Sequence, residues 1–173
     1  MGVKMEIILD MKYDLPAMAA MAKAVRKGLQ EDRDKKSKLI GWFFVVAGTA
    51  LVFSAKAFTY QQIIALVAIV LFAVYLLLPD QINGLISLFK IPAKVRSATW
   101  KFCDDGFHIT TIMDSDSFLY DSIFAMVETD GYLVLCFHNS QAQVYSLNSI
   151  VQGTAADLRR ILRRETGLTI QEI

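Results

Sequence analysis

Two apolar runs with no charged side chain, residues 39–55 and 60–78, stand a few residues apart in this sequence, and no other feature limits its fold as strongly. The first run is about the minimum length that crosses roughly 30 Å of hydrocarbon, and Lys56 can snorkel at its far end. The second is ended by Pro79 and Asp80. Spans joined by so short a turn must be antiparallel, so the sequence predicts a transmembrane helical hairpin over residues 39–79, with helices near 39–57 and 60–79. Composition agrees: the hydrophobic fraction is 54% and the mean hydropathy +0.40, above the soluble range, with the excess concentrated in these runs.

Basic residues set the orientation. Lys23, Arg26, Lys27, Arg33, Lys35, Lys36 and Lys38 precede the first span and Lys90, Lys94, Arg96 and Lys101 follow the second, whereas the connecting loop carries Lys56. The positive-inside rule then predicts a multi-pass protein of the inner (plasma) membrane with both termini cytoplasmic. Trp42 and Tyr60 suit the aromatic belts at span ends. The first fifteen residues lack the pattern of a removable signal peptide, so the first span is expected to serve as its own insertion signal. A net charge of +1 argues against nucleic acid as a partner, since neutralising several phosphates calls for a basic surplus.

The flanks read as an α+β arrangement. In residues 1–38, partial alternation from Met5 to Tyr13 predicts a strand, Pro16 suits a first helical turn, and residues 17–38 read as a charged amphipathic helix. In the stretch 80–98, apolar residues at 82, 85, 86 and 89 predict an interfacial helix before a linker. Residues 99–173 turn to period two and predict five or so antiparallel strands. One hairpin turns at Asp104, Asp105 and Gly106, another turn holds Asp114 to Ser117, a second hairpin crosses Asp130 and Gly131, and a polar turn runs from His138 to Gln141. A last helix starts at Thr154 with Asp157 in the capping position and ends at Gly167.

This order of parts resembles the bacterial YcxB-like membrane proteins. The resemblance rests on Trp100 to Ile109, Phe118 to Glu128, Tyr132 to Leu135 and Asp157 to Leu162, and it covers essentially the whole chain. Tyr120 stands where that family often has tryptophan, and residues 143–147 stand where a Pro-Lys turn often follows. The resemblance implies a pleckstrin-homology-like (PH-like) sheet domain at the membrane and no established activity.

Chemistry-bearing motifs are sparse. His108, His138, Cys103 and Cys136 lack zinc spacing, and the acidic turns lack the loop length and terminal glutamate of an EF-hand. No nucleophile elbow or phosphate-cradling glycine loop occurs, so neither an enzyme nor a cofactor or metal site is expected. In a cytosolic domain the two cysteines should be reduced thiols. No Asp, Glu, Lys, Arg or His lies within the spans, as a carrier would need; Gly48, Ala50, Ser54, Ala65 and Ala68 allow close helix approach within the hairpin or between copies. The strongest remaining signal is the last helix, with Leu158, Ile161 and Leu162 on one face and Arg159, Arg160, Arg163 and Arg164 on the other. The simpler reading leaves these arginines solvated. The sharper one has them contact anionic lipid head groups, together with Lys90, Lys94 and Arg96, or else an acidic partner protein. The expected role is a non-catalytic, membrane-anchored interaction or regulatory module. A membrane immunity or resistance protein that binds a toxin or antimicrobial is the alternative, and an accessory subunit of a transporter a third.

Overall fold

The computed structural model describes residues 6–54, 59–112, 115–139 and 141–173. Met5, Lys56, Asp114 and Ser140 lie outside these, so the strand start, the snorkelling lysine and parts of two expected turns are not described.

Strand β1 (Ile7–Lys12) leads into helix α1 (Leu15–Ala24), where the Asp14 carboxylate accepts from the Ala17 N–H at 3.0 Å and Pro16 occupies the first turn. The single helix expected over 17–38 is instead two. A π-helical turn (Val25–Leu29) intervenes, and Gln30 leaves helical geometry before α2 begins (Glu31–Ser54). Gly28 in this turn packs so tightly on the sheet that a Cβ there would lie 2.8 Å from a Val127 methyl. The charged residues 31–38 thus form the first two turns of the same helix that carries the first apolar run. Glu31, Asp32 and Asp34 at its start complement the helix dipole.

Helix α3 (Tyr60–Leu77) opens with a capping box between Thr59 and Gln62 and runs antiparallel to α2. Gly41 meets Leu76 and Gly48 meets Ile69, two glycines seven residues apart on one face of α2. The two helices measure about 36 Å and about 27 Å at 1.5 Å per residue, long and apolar enough to cross a bilayer. Only 11% and 6% of their most apolar windows are buried, whereas the core helix of a globular protein would be mostly covered.

Beyond Leu78, helix α4 (Pro79–Lys90) folds back onto α1. Eight further strands follow: β2 (Ser97–Cys103), β3 (Gly106–Thr110), β4 (Ser115–Phe118), β5 (Ile123–Thr129), β6 (Tyr132–Phe137), β7 (Ala142–Ser146), β8 (Ile150–Gln152) and β9 (Ile170–Glu172), with α5 (Ala155–Thr166) before the last. They form two sheets, ordered β4-β3-β2-β1-β8 and β7-β6-β5-β9. The N-terminal strand is an interior member of the first sheet, antiparallel to β2 and β8 of the same chain. The second sheet is mixed rather than purely antiparallel, because β9 pairs parallel to β5. Both expected hairpins form. At the β5–β6 turn Asp130 and Gly131 both have positive φ, 52° and 80°, as a two-residue turn that matches strand twist requires.

The inner faces of the two sheets meet through aromatic rings. Trp100 and Phe102 stand edge-on to Tyr145, and Phe107 contacts Phe102, Phe118, Tyr120 and Phe137. Leu158, Ile161 and Leu162 of α5 are buried in the same core. The outer faces differ. On the first sheet the outward side chains are mostly polar and include cross-strand pairs, Thr99 with Asp10 and Ser117 with His108. On the second, the cross-strand row Val127, Val134 and Val144 is buried beneath α1 and the π turn. Strand β6 is therefore covered on both sides, which suits its unbroken apolar run Leu133 to Phe137.

Candidate functional site

The arginines of the basic helix α5 are largely paired with carboxylates, some on the helix and some on the strand and turn beside it. Arg159 makes a two-pronged ion pair with Glu128, at 2.8 and 2.6 Å, and this bond holds the Glu128 carboxyl below its ordinary pKa. Arg160 reaches Asp157 at 3.0 Å, and Arg164 joins Asp104 at 2.5 Å and Glu165 at 2.6 Å. The Arg163 side chain is exposed and makes no hydrogen bond or ion pair among the described residues. The helix N-terminus forms as the sequence predicts: the Thr154 hydroxyl accepts from the Asp157 N–H at 3.1 Å and donates to its carboxylate at 2.6 Å. Gly167 ends the helix with φ 67°.

Lys90, Lys94 and Arg96 are not joined to this arginine face by any hydrogen bond or ion pair among the described residues. Lys90 and Lys94 are exposed. Arg96 has a local role: its guanidinium donates to the carbonyls of Leu88 and Ile91, both at 3.2 Å, and so satisfies the C-terminal end of α4. The histidines are likewise engaged locally, His108 with Ser117 at 2.8 Å and His138 with the ring of Phe124. Among the described residues no group of three or more His, Cys, Asp or Glu could hold a metal ion. Cys103 and Cys136 are both buried and are not joined in a disulfide, and burial pushes the Cys136 thiol up to about 11.

The most developed polar constellation lies at the neck, where the apolar hairpin meets the sheets. Arg26, on the π turn, donates from Nε and Nη2 to the two carboxylate oxygens of Asp80 at 2.8 and 2.7 Å, and from Nη1 to Asp34. Lys38 approaches the same Asp34 at 3.2 Å. The Arg26 side chain is 15% exposed and both aspartates 17%. One guanidinium thus fastens the start of α2 to the start of α4, immediately beside the points where the hairpin begins and ends. Its pKa is raised, first by the Asp80 hydrogen bond. Counting Arg26 among the basic flank of the first span conceals this role; the signal was a lone acidic residue, Asp80, directly after the proline that ends the second span.

Backbone packing reinforces the clamp. A Cβ on Gly84 of α4 would sit 2.6 Å from the Ala19 nitrogen of α1, so these helices touch main chain to main chain. With Gly84 and Leu88 facing inward, Leu85, Ile86 and Phe89 remain exposed, with Ile82 half-buried beside them. That is the apolar stripe read from the sequence. Between α1, the start of α2 and α4 lies an open groove of about 580 Å³, lined by Met21, Val25, Arg33, Ser37, Ile86 and Lys90 among others. A second groove, about 370 Å³, shares Met21, Ser87 and Lys90 with it.

No family model and no curated protein matches this chain. Among solved structures, it is similar to a chain of the structure described as the Spt16D Pob3N heterodimer, with 10% sequence identity and a TM-score of 0.32. The similarity covers 43% of this chain and 45% of that one, so the chain spans less than half of the neighbour's length.

Proposed function

We propose that the chain is a non-catalytic, membrane-anchored interaction or regulatory module of the YcxB-like kind. Its hairpin crosses the inner membrane, and its PH-like double sheet is held at the cytoplasmic face. The observation that carries this reading is the neck. Arg26, Asp34 and Asp80 join both ends of the apolar hairpin to each other, and the Gly84–Ala19 contact seats α4 on the helix that covers the second sheet. A domain fastened in this way faces the membrane in one orientation, which suits the presentation of a fixed surface rather than a loosely tethered one. The exposed stripe Leu85, Ile86 and Phe89 supports burial of α4 at the lipid interface, and the weight of basic residues on the two flanks supports a cytoplasmic placement of both termini. The pleckstrin-homology likeness is supported by two sheets packed face to face with a C-terminal helix in their shared core. The groups whose ionisation is most suppressed, Tyr120, Tyr145 and Cys136, are spent on the core rather than on a cleft, which favours a non-catalytic role.

The test is topology in intact cells. The native thiols are buried and serve poorly as reporters, so both are replaced by alanine and single cysteines are placed at Gln61, beyond the Thr59 cap, and at exposed Thr169. A membrane-impermeant thiol reagent should label the residue 61 thiol before lysis and the residue 169 thiol only afterwards. Labelling of residue 169 in intact cells would put the double sheet outside and sink the reading.

A further inference from the structure

From the neck groove we infer a binding site for the phosphate of an anionic phospholipid, with Arg33 and Lys90 as its cationic ligands; the inference rests on the membrane-anchored reading above. These two side chains line the same cavity from different helices, and neither makes a hydrogen bond or ion pair among the described residues. This contrasts with Arg26, whose charge is committed to two aspartates. The carboxylate that also lines the groove, Asp34, is held by Arg26 and Lys38 and does not offset the free cations. Ser37, Asn83 and Ser87 add neutral donors along the walls.

Depth selects a lipid over a soluble anion. Ser37 and Arg33 lie about 3 Å and about 9 Å along the α2 axis from Leu39, where the apolar run starts, which is the level of the head groups in a bilayer. The exposed side chains of Leu85, Ile86 and Phe89 flank the site on α4 and offer an apolar surface to acyl chains. An ionised phosphate ester meets both cations and the hydroxyl donors at once, and a zwitterionic head group would bring its own ammonium into a cavity already cationic.

The experiment uses the full-length chain in neutral detergent micelles doped with equal amounts of phosphatidylglycerol and phosphatidylcholine, with retained lipid read by native mass spectrometry. Wild type should retain phosphatidylglycerol selectively. The double variant Arg33→Gln/Lys90→Gln should retain it about thirtyfold less, from the effect of two basic groups near a lipid surface, while Arg160→Gln/Arg163→Gln, which removes equal charge from α5, should behave as wild type. Equal retention by wild type and the groove variant overturns the inference. So does an equal fall in the α5 variant, which would mean diffuse surface charge, or ready displacement by inorganic phosphate, which would mean a soluble anion site. Should the charge variant unfold, Ser87→Leu tests the same groove by filling it, and unaltered lipid retention in that variant counts against the site. Alkaline carbonate extraction of the host membranes separates the two readings. Release of the chain would defeat the anchor itself, whereas an anchored chain without lipid selectivity defeats the groove alone.

Discussion

Arg159 and Glu128 show how a single pair makes the domain sensitive to acid. The Glu128 carboxyl is held below its ordinary value of 4.5, chiefly by the hydrogen bonds from Arg159. A carboxyl whose pKa falls on folding contributes stability that is complete above the unfolded value and is lost as pH drops through the folded one. Wild type should therefore lose melting temperature below pH 4.5, and Arg159→Gln should be less stable at neutral pH with a shallower acid dependence. Parallel acid dependences in the two proteins would show that the pair is not the source. Tyr145 presents the opposite situation. Its ring packs on Trp100 and Phe102, yet its hydroxyl is buried with no hydrogen-bond partner among the described residues. Tyr145→Phe keeps the ring and removes the unsatisfied group, so it should raise stability by about 1 kcal/mol; a lower melting temperature would reveal a partner such as a buried water.

Between elements, the close contacts differ in what a methyl group would strike. At Gly84 the obstacle is the Ala19 backbone, 2.6 Å away, whereas at Gly41 it is the end of the flexible Leu76 side chain, 2.7 Å away. Gly84→Ala should therefore force α4 off α1 and cost about 1–3 kcal/mol, while Gly41→Ala should cost little, since Leu76 can change rotamer. Thermal unfolding of the two variants in the same detergent ranks them, and equal losses would contradict the account. Arg26→Gln acts on the same joint by leaving the mostly buried Asp80 carboxylate without its cation and Asp34 with Lys38 alone, and should cost on the order of 1–3 kcal/mol. Neutralising the aspartates as well, with Asp34→Asn and Asp80→Asn, should restore part of that loss; no recovery would mean that the clamp acts through packing rather than charge. Much at this scale was legible in the sequence. The hairpin runs, the Asp130–Gly131 turn, the α4 stripe and both ends of α5 announce themselves through periodicity or turn chemistry. The break at Gly28 and the neck clamp did not, because each is defined by a partner distant in sequence: Val127 for the glycine, Asp80 for the arginine. The short strands β8 and β9 were hidden for another reason. Three residues show no period, and only pairing with β1 and β5 makes them strands.

For the molecule as a whole, the decisive fact is that the apolar hairpin is inserted into the domain rather than placed before it. Strand β1 precedes the hairpin, yet it lies between β2 and β8, and the Tyr13 N–H donates to the Arg96 carbonyl at 2.8 Å. Ile7, Leu9 and Met11 belong to the same core as Trp100 and Phe102, and Trp100 Nε1–H donates to the Tyr13 hydroxyl. Residues 97–173 alone would therefore lack an interior strand of the first sheet and the helix that covers Val127, Val134 and Val144. The open row between β2 and β8 would present unpaired backbone groups and apolar side chains to any passing strand. Period two in the C-terminal half and a strand near the N-terminus were each legible; that the second pairs inside the first within one chain was left open, because pairing across an inserted hairpin leaves no local mark. The fragment 97–173 is accordingly expected to be aggregated or unfolded when expressed without the rest of the chain. A fusion that joins residues 6–29 to residues 91–173 through a flexible glycine-serine linker should instead recover cooperative unfolding, because it restores both β1 and α1. Circular dichroism and thermal melts of the two proteins make the comparison. A folded, monomeric 97–173 would show that the first sheet closes without its N-terminal strand, and the hairpin would then be an appendage to a complete domain rather than a part threaded through it.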